Sequence, residues 1–144
     1  QRQMCIRDRG VTFLELDPLL GECDLVTLHL PLTTDTRGIL NRERLFRMKR
    51  GAFLINTARA ELVDEAALVE ALQTHLGGAA IDVFSPEPPP PDHPLLKLPN
   101  VVLTPHGAGV TQEAQGRIAQ GVIQNVLRFL EGRPLADVAV QGNR

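Results

Sequence analysis

The sequence predicts an α/β fold built on a parallel sheet. Three observations predict it: apolar runs of strand length alternate with stretches of helical periodicity, the connections are long enough for parallel crossovers, and polar residues stand where the runs end. The expected strands are "VTFLEL" (11–16), "LVTLHL" (25–30), "AFLIN" (52–56), "AAIDVF" (79–84) and "VVLTP" (101–105).

The helices follow in chain order. A short one is expected from an Asn41 cap through Leu45, Phe46 and Met48 to Gly51, with Lys49 and Arg50 suiting the negative end of its dipole. A second starts at Asp64, places Leu68, Leu72 and Leu76 at helical spacing, and stops at Gly77. The longest runs from a Thr111 cap through Ile118, Val122, Val126 and Leu130 to Gly132 and Pro134. Gly116 and Gly121 lie inside it at a cost of about 1 kcal/mol each against alanine, so close packing is expected there. "SPEPPPPDHP" (85–94) is expected to be a stiff extended loop, because proline fixes φ and has no N–H to donate.

Composition narrows the function. Lys and Arg (15) nearly balance Asp and Glu (17), the formal net charge is -2, and 43% of the 144 residues are hydrophobic. No apolar run is long enough to span a bilayer, and no basic block recommends nucleic acid or an anionic membrane surface. A small neutral or anionic substrate is the expected partner. Cys5 and Cys23 lack metal-ligand spacing and no secretory signal precedes them, so no metal site or disulfide scaffold is expected and the chain reads as cytoplasmic.

"QRQMCIRDR" (1–9) carries no periodicity. The codons ATG TGT ATA AGA GAC AG- spell Met4 to Asp8 and begin the next codon, and that string resembles a transposon end used in building sequencing libraries. Residues 1–9 are therefore expected to be a non-native leader replacing the true upstream sequence; the other reading is an irregular natural tail.

The strand ends carry the chemistry. In open parallel sheets, ligands bind beyond the carboxyl ends of the strands. Here "LVTL" runs into His29, "AFLIN" into Thr57, Ala58 and Arg59, "AAI" into Asp82, and "VVLTP" into His106. A single strand-end histidine is ordinarily structural, but four such residues on one rim point to a site. Gly107 and Gly109, flanking Ala108, would let a ligand ring or phosphate approach the backbone closely.

Four ordered motifs carry a resemblance: "CDLVTLHLPLTTDTRGIL" (23–40), "MKRGAFLINTARAELVDEAALVEAL" (48–72), "GAAIDVFSPEP" (78–88) and "NVVLTPHGAGVTQEA" (100–114). From Gly10 to about Val140 the chain resembles the D-isomer-specific 2-hydroxyacid dehydrogenases, which include phosphoglycerate, glyoxylate/hydroxypyruvate and D-lactate oxidoreductases. The resemblance implies hydride transfer between NAD or NADP and a small 2-oxo or 2-hydroxy acid, with NAD favoured, and a homodimer in the intact enzyme. It implies that Arg59 grips the substrate carboxylate, a task its charged planar fork suits. It also implies that His106 exchanges the proton and that Glu87 hydrogen-bonds His106; an imidazole titrating near neutrality suits that work. Asp82 resembles the aspartate that binds the nicotinamide carboxamide. Leu30, Pro31, Thr57, Ala58, Arg59, His106, Gly107, Ala108 and Gly109 match positions lining the cofactor.

His29 is given a packing role, His75 a helix-end place and His93 a loop place. One residue departs from the family pattern, and another bears on subtype. Ala60 stands where the family has glycine, which would shift the loop if a positive φ were needed there. Glu87 stands where the formate dehydrogenase branch has glutamine, which disfavours formate as substrate.

No G-x-G-x-x-G occurs in the chain. The resemblance therefore implies the C-terminal part of a Rossmann-like doubly wound sheet, lacking its first βαβ half. Residues 10–110 are expected to be a partial dinucleotide-binding domain, and 111–144 a long C-terminal helix and tail returning toward a substrate domain. Two other readings stand beside this one: a non-catalytic dinucleotide-binding or interaction module of the same fold, and, for the literal chain, an inactive fragment.

Overall fold

The computed structural model describes residues 10–136; the expected leader and the end of the tail lie outside the described residues. The order is α1 (Leu16–Glu22), β1 (Leu25–Leu28), α2 (Arg42–Arg47), β2 (Phe53–Asn56), a 3-10 turn (Ala60–Leu62), α3 (Glu65–Thr74), β3 (Gly78–Ile81), a 3-10 turn (Pro94–Lys97), β4 (Val101–Leu103) and α4 (Gln112–Leu130). The four strands form one parallel sheet in the order β1-β2-β3-β4. Register aligns Leu28 with Asn56, Asn56 with Ile81 and Ile81 with Leu103, so all four strands finish on one edge.

The helices begin where the caps foretell. Asn41 accepts the Arg44 N–H at the start of α2, Asp64 the Ala67 N–H at the start of α3, and Thr111 the Ala114 N–H at the start of α4. Each supplies an acceptor to a donor that has no partner in the first helical turn. Gly51 (φ 82) and Gly132 (φ 66) take left-handed backbone beyond α2 and α4, where a side chain would be strained.

One face of the sheet is packed. Val26, Leu28, Leu54, Ala79 and Ile81 point to it and join Leu45, Leu68, Ala71 and Leu72 of α2 and α3 in the core. The opposite face carries Leu25, Phe53 and Val102, each more than half exposed. A bidentate Arg42–Glu70 pair ties α2 to α3, and Arg42 also lies 4.7 Å over the Phe46 ring.

Three expectations are corrected. The first run is not a strand: Val11 to Glu15 form no ladder, Val11, Phe13 and Leu14 are exposed, and the chain enters α1, whose Leu20 is fully buried. An apolar run becomes a strand only with a partner to bond it, and β1, the nearest strand, pairs only with β2. The "LDPLLGE" turn instead buries Leu20 and bonds α2 through Asp17 and Arg44. At Gly116 and Gly121 an added Cβ would meet open space, so the close packing expected there is not found within the unit holding α4. His29 is exposed and bonded to the Thr27 hydroxyl at 3.0 Å, not packed.

The described chain divides into two compact units, one ending at His106 and the other beginning at Gly107. In the second, Asn125 exchanges two hydrogen bonds with the backbone of Ala136, closing the turn after α4 onto the helix. No helix among the described residues is long and apolar enough to cross a membrane.

Candidate active site

Within the first unit, the expected residues follow strands at the carboxyl edge of the sheet. β1 runs into His29, Leu30 and Pro31, and β2 into Thr57, Ala58 and Arg59; these line a hollow of about 580 Å³. Its shape is fixed by Asn56, the last residue of β2, which is 2% exposed. The Asn56 carboxamide accepts the Ala58 N–H at 3.1 Å and donates to the Arg59 carbonyl at 2.9 Å, so one side chain clamps the turn that presents Arg59. The Arg59 guanidinium is exposed and donates only to the Ala58 carbonyl; among the described residues no carboxylate pairs with it. Ala60 opens the 3-10 turn, and His106 is the one non-glycine residue with positive φ among those described, so the missing glycine after Arg59 costs no strained backbone.

A second hollow, about 480 Å³, lies between the proline-rich loop and the end of β4, lined by Phe84, Glu87, Pro88, Leu103 and His106 among others. Here His106 Nδ1 and Glu87 Oε2 are 2.8 Å apart, while the other Glu87 oxygen accepts the Phe84 N–H at 2.8 Å. The hydrogen bond with His106 holds the Glu87 carboxyl below the usual carboxylate range, and the Phe84 N–H adds to this; desolvation and the nearby Asp82 oppose it. His106 itself sits at φ 54, a left-handed conformation that costs a side chain of order 1 kcal/mol and recurs at functional sites.

Asp82, at the end of β3, is 3% exposed. It accepts from the Thr104 hydroxyl, and its N–H donates to the Asn56 carbonyl at 3.0 Å. The structure thus joins Glu87 to His106 and Asp82 to Thr104, while Arg59 lines a different hollow on the same edge. Gly107, Ala108 and Gly109 belong to the second unit, where a Gly107–Val110 backbone bond forms a turn. Among the described residues no group of His, Cys, Asp and Glu could hold a metal ion.

Sequence reasoning missed Asn56, Thr104 and Phe84. Asn56 had a signal, a buried-strand pattern that ends on a carboxamide. Thr104 lay in plain sight inside "LTPH". Phe84 acts through its backbone N–H, which every residue but proline possesses, so nothing in the sequence marks it.

Residues 1–108 match the family described as D-isomer specific 2-hydroxyacid dehydrogenase, NAD binding domain. The glyoxylate reductase of Korarchaeum cryptofilum is 47% identical over 127 residues, which is 88% of this chain and 38% of that protein. The crystal structure of a Thermus thermophilus protein superposes with a TM-score of 0.82 at 55% identity, covering 89% of this chain and 41% of that one. A D-isomer specific 2-hydroxyacid dehydrogenase from Xanthobacter autotrophicus Py2, solved with NADPH and MES, gives 0.77 at 41% identity, covering 85% of this chain and 50% of that one. The chain therefore spans half or less of the length of these proteins.

Proposed function

We propose, from the premise that this chain belongs to the D-isomer specific 2-hydroxyacid dehydrogenase family, that the whole protein is an NAD(P)-dependent oxidoreductase of a D-2-hydroxy acid. The observation that carries the proposal is the His106–Glu87 contact of 2.8 Å at the carboxyl end of the sheet. Bound there, a nicotinamide cofactor supplies the hydride for reduction of the carbonyl carbon.

The chain's own residues supply the rest. Arg59 binds the substrate carboxylate through its planar fork and orients the carbonyl. His106 gives a proton from Nε2 to the carbonyl oxygen, so the product is the neutral alcohol; oxidation returns that proton to Nε2. Glu87, on Nδ1, fixes the ring orientation and stabilises its protonated form. Asp82 receives the nicotinamide carboxamide, and Leu30, Pro31, Thr57 and Ala58 lie along the cofactor. The fit is partial: the carboxyl edge offers polar groups and a hollow for a nicotinamide, but no G-x-G-x-x-G in these 144 residues would cradle a pyrophosphate.

In this reading residues 10–110 are part of a dinucleotide domain and 111–144 return toward a substrate domain. The intact enzyme is a cytoplasmic homodimer. Glutamate at position 87 directs the site to a 2-oxo acid rather than formate. His106→Ala in the full-length protein is expected to lower kcat for 2-oxo acid reduction by roughly 10²–10⁴-fold. Turnover within a few-fold of wild type would remove His106 from the proton step.

A further inference from the structure

We propose that His93, together with Glu65, is a positioning residue that holds the Glu87–His106 pair in register. The proposal rests on the reading of His106 as proton donor, but it starts from a feature that reading does not use. His93 sits in the proline-rich loop, where a solvated side chain is the ordinary expectation, yet it is only 4% exposed. Burying an imidazole requires partners for two ring nitrogens.

One nitrogen has a hydrogen-bonding partner, and the other has only a carboxylate close by. Nδ1 accepts the Leu95 N–H at 3.4 Å, capping the 3-10 turn Pro94–Lys97. An acceptor role at Nδ1 puts the ring proton on Nε2. That nitrogen has no hydrogen-bonding partner, but it lies 3.2 Å from the Glu65 carboxylate in the first turn of α3, a close approach out of hydrogen-bond alignment. The loop thereby lies against α3, whose Ala67, Leu68, Ala71 and Leu72 are in the core.

The ring also meets Phe84, which lines the hollow holding Glu87 and His106. His93 meets Phe84 edge to face, with ring centroids 5.7 Å apart at 88°. Such pairs prefer this geometry and resist displacement of either ring. Phe84 is the residue whose N–H bonds Glu87, and Glu87 bonds His106. The order of action runs from α3 through Glu65, His93 and Phe84 to the carboxylate that sets the imidazole. Glu87 and His106 are both exposed, so packing around the pair does little to hold it; a loop anchored from beneath does that instead.

The test uses the full-length protein with His93→Phe and Glu65→Ala, each made alone and in a Glu87→Gln background. His93→Phe is expected to lower kcat roughly 10-fold, a misplacement effect, with KM for the 2-oxo acid unchanged because Arg59 stands on another turn. Glu65→Ala, a half-exposed position that leaves the core intact, should move kcat the same way by less. In the Glu87→Gln background neither change should lower kcat further, since a residue acting through Glu87 has nothing left to position. Losses that multiply undiminished in that background, or a kcat unmoved by both variants, would overturn the proposal.

Amide hydrogen exchange at Phe84 reads the same positioning without turnover: it should speed up in His93→Phe as in Glu87→Ala, which removes the acceptor. Unchanged exchange in His93→Phe counts against the proposal. Changed exchange in a protein that reduces no 2-oxo acid would uphold the positioning and refute the assigned reaction.

Discussion

His106 combines a left-handed backbone, φ 54, with a side chain bonded to a carboxylate 19 positions earlier. Neither property is local. The strain persists because strand β4 and the Glu87 contact determine where the residue must go, and the proton step proposed for it depends on that placement. The depressed Glu87 pKa has a signed consequence. A carboxyl held below its ordinary value contributes stability that is present above the usual carboxylate range and is lost as pH falls through the depressed value. Acid titration of the full-length protein should therefore release the His106 contact, and Glu87→Gln should remove that part of the pH dependence; matching acid profiles in the two proteins would exclude it. Arg59 is a different case, since its exposed fork donates to the Ala58 carbonyl and its proposed role is to bind a carboxylate. Arg59→Lys should lose roughly 10²-fold in kcat/KM for a 2-oxo acid, because an ammonium keeps the charge and loses the paired donors. Steady-state kinetics would decide it.

Among the elements, β3 begins where neighbouring backbones approach closely. An added Cβ at Gly78 would come 2.6 Å from the Asn100 carbonyl oxygen and 3.1 Å from the Phe53 ring. Gly78→Ala should accordingly destabilise the fold by about 1–3 kcal/mol, the usual cost of overpacking, measured as a lowered denaturant midpoint. The caps at Asn41, Asp64 and Thr111 were legible because an N-cap is a short-range bargain between one side chain and an N–H three residues on. The first strand was misread because its pattern was apolar, and what it lacked was a partner. Helix α1 was missed because seven residues that bury one leucine fully carry too little periodicity to show.

For the whole molecule the open sheet face matters most. Parallel sheets are ordinarily covered on both faces, and here Leu25, Phe53 and Val102 are 52%, 51% and 65% exposed. Expressed as it stands, the 144-residue chain should bind a hydrophobic dye such as ANS and unfold with poor cooperativity. A sharp, dye-free transition would count against that. By itself the sequence determined the α/β class, four of the strands, the three capped helices and the family motifs, because periodicity, caps and strand-end chemistry are written in neighbouring residues. The resemblance already implied that Glu87 bonds His106, and the tertiary structure supplied the geometry; only the structure decided that Asn56 clamps the Arg59 turn and that Phe84 and His93 meet beside Glu87. The Asn56 clamp is local but uses backbone groups that no residue type marks, whereas Glu87 and His106 are 19 positions apart and meet only because of how the strands and loop are placed; hydrogen bonds act over about 3 Å in space without regard to separation along the chain.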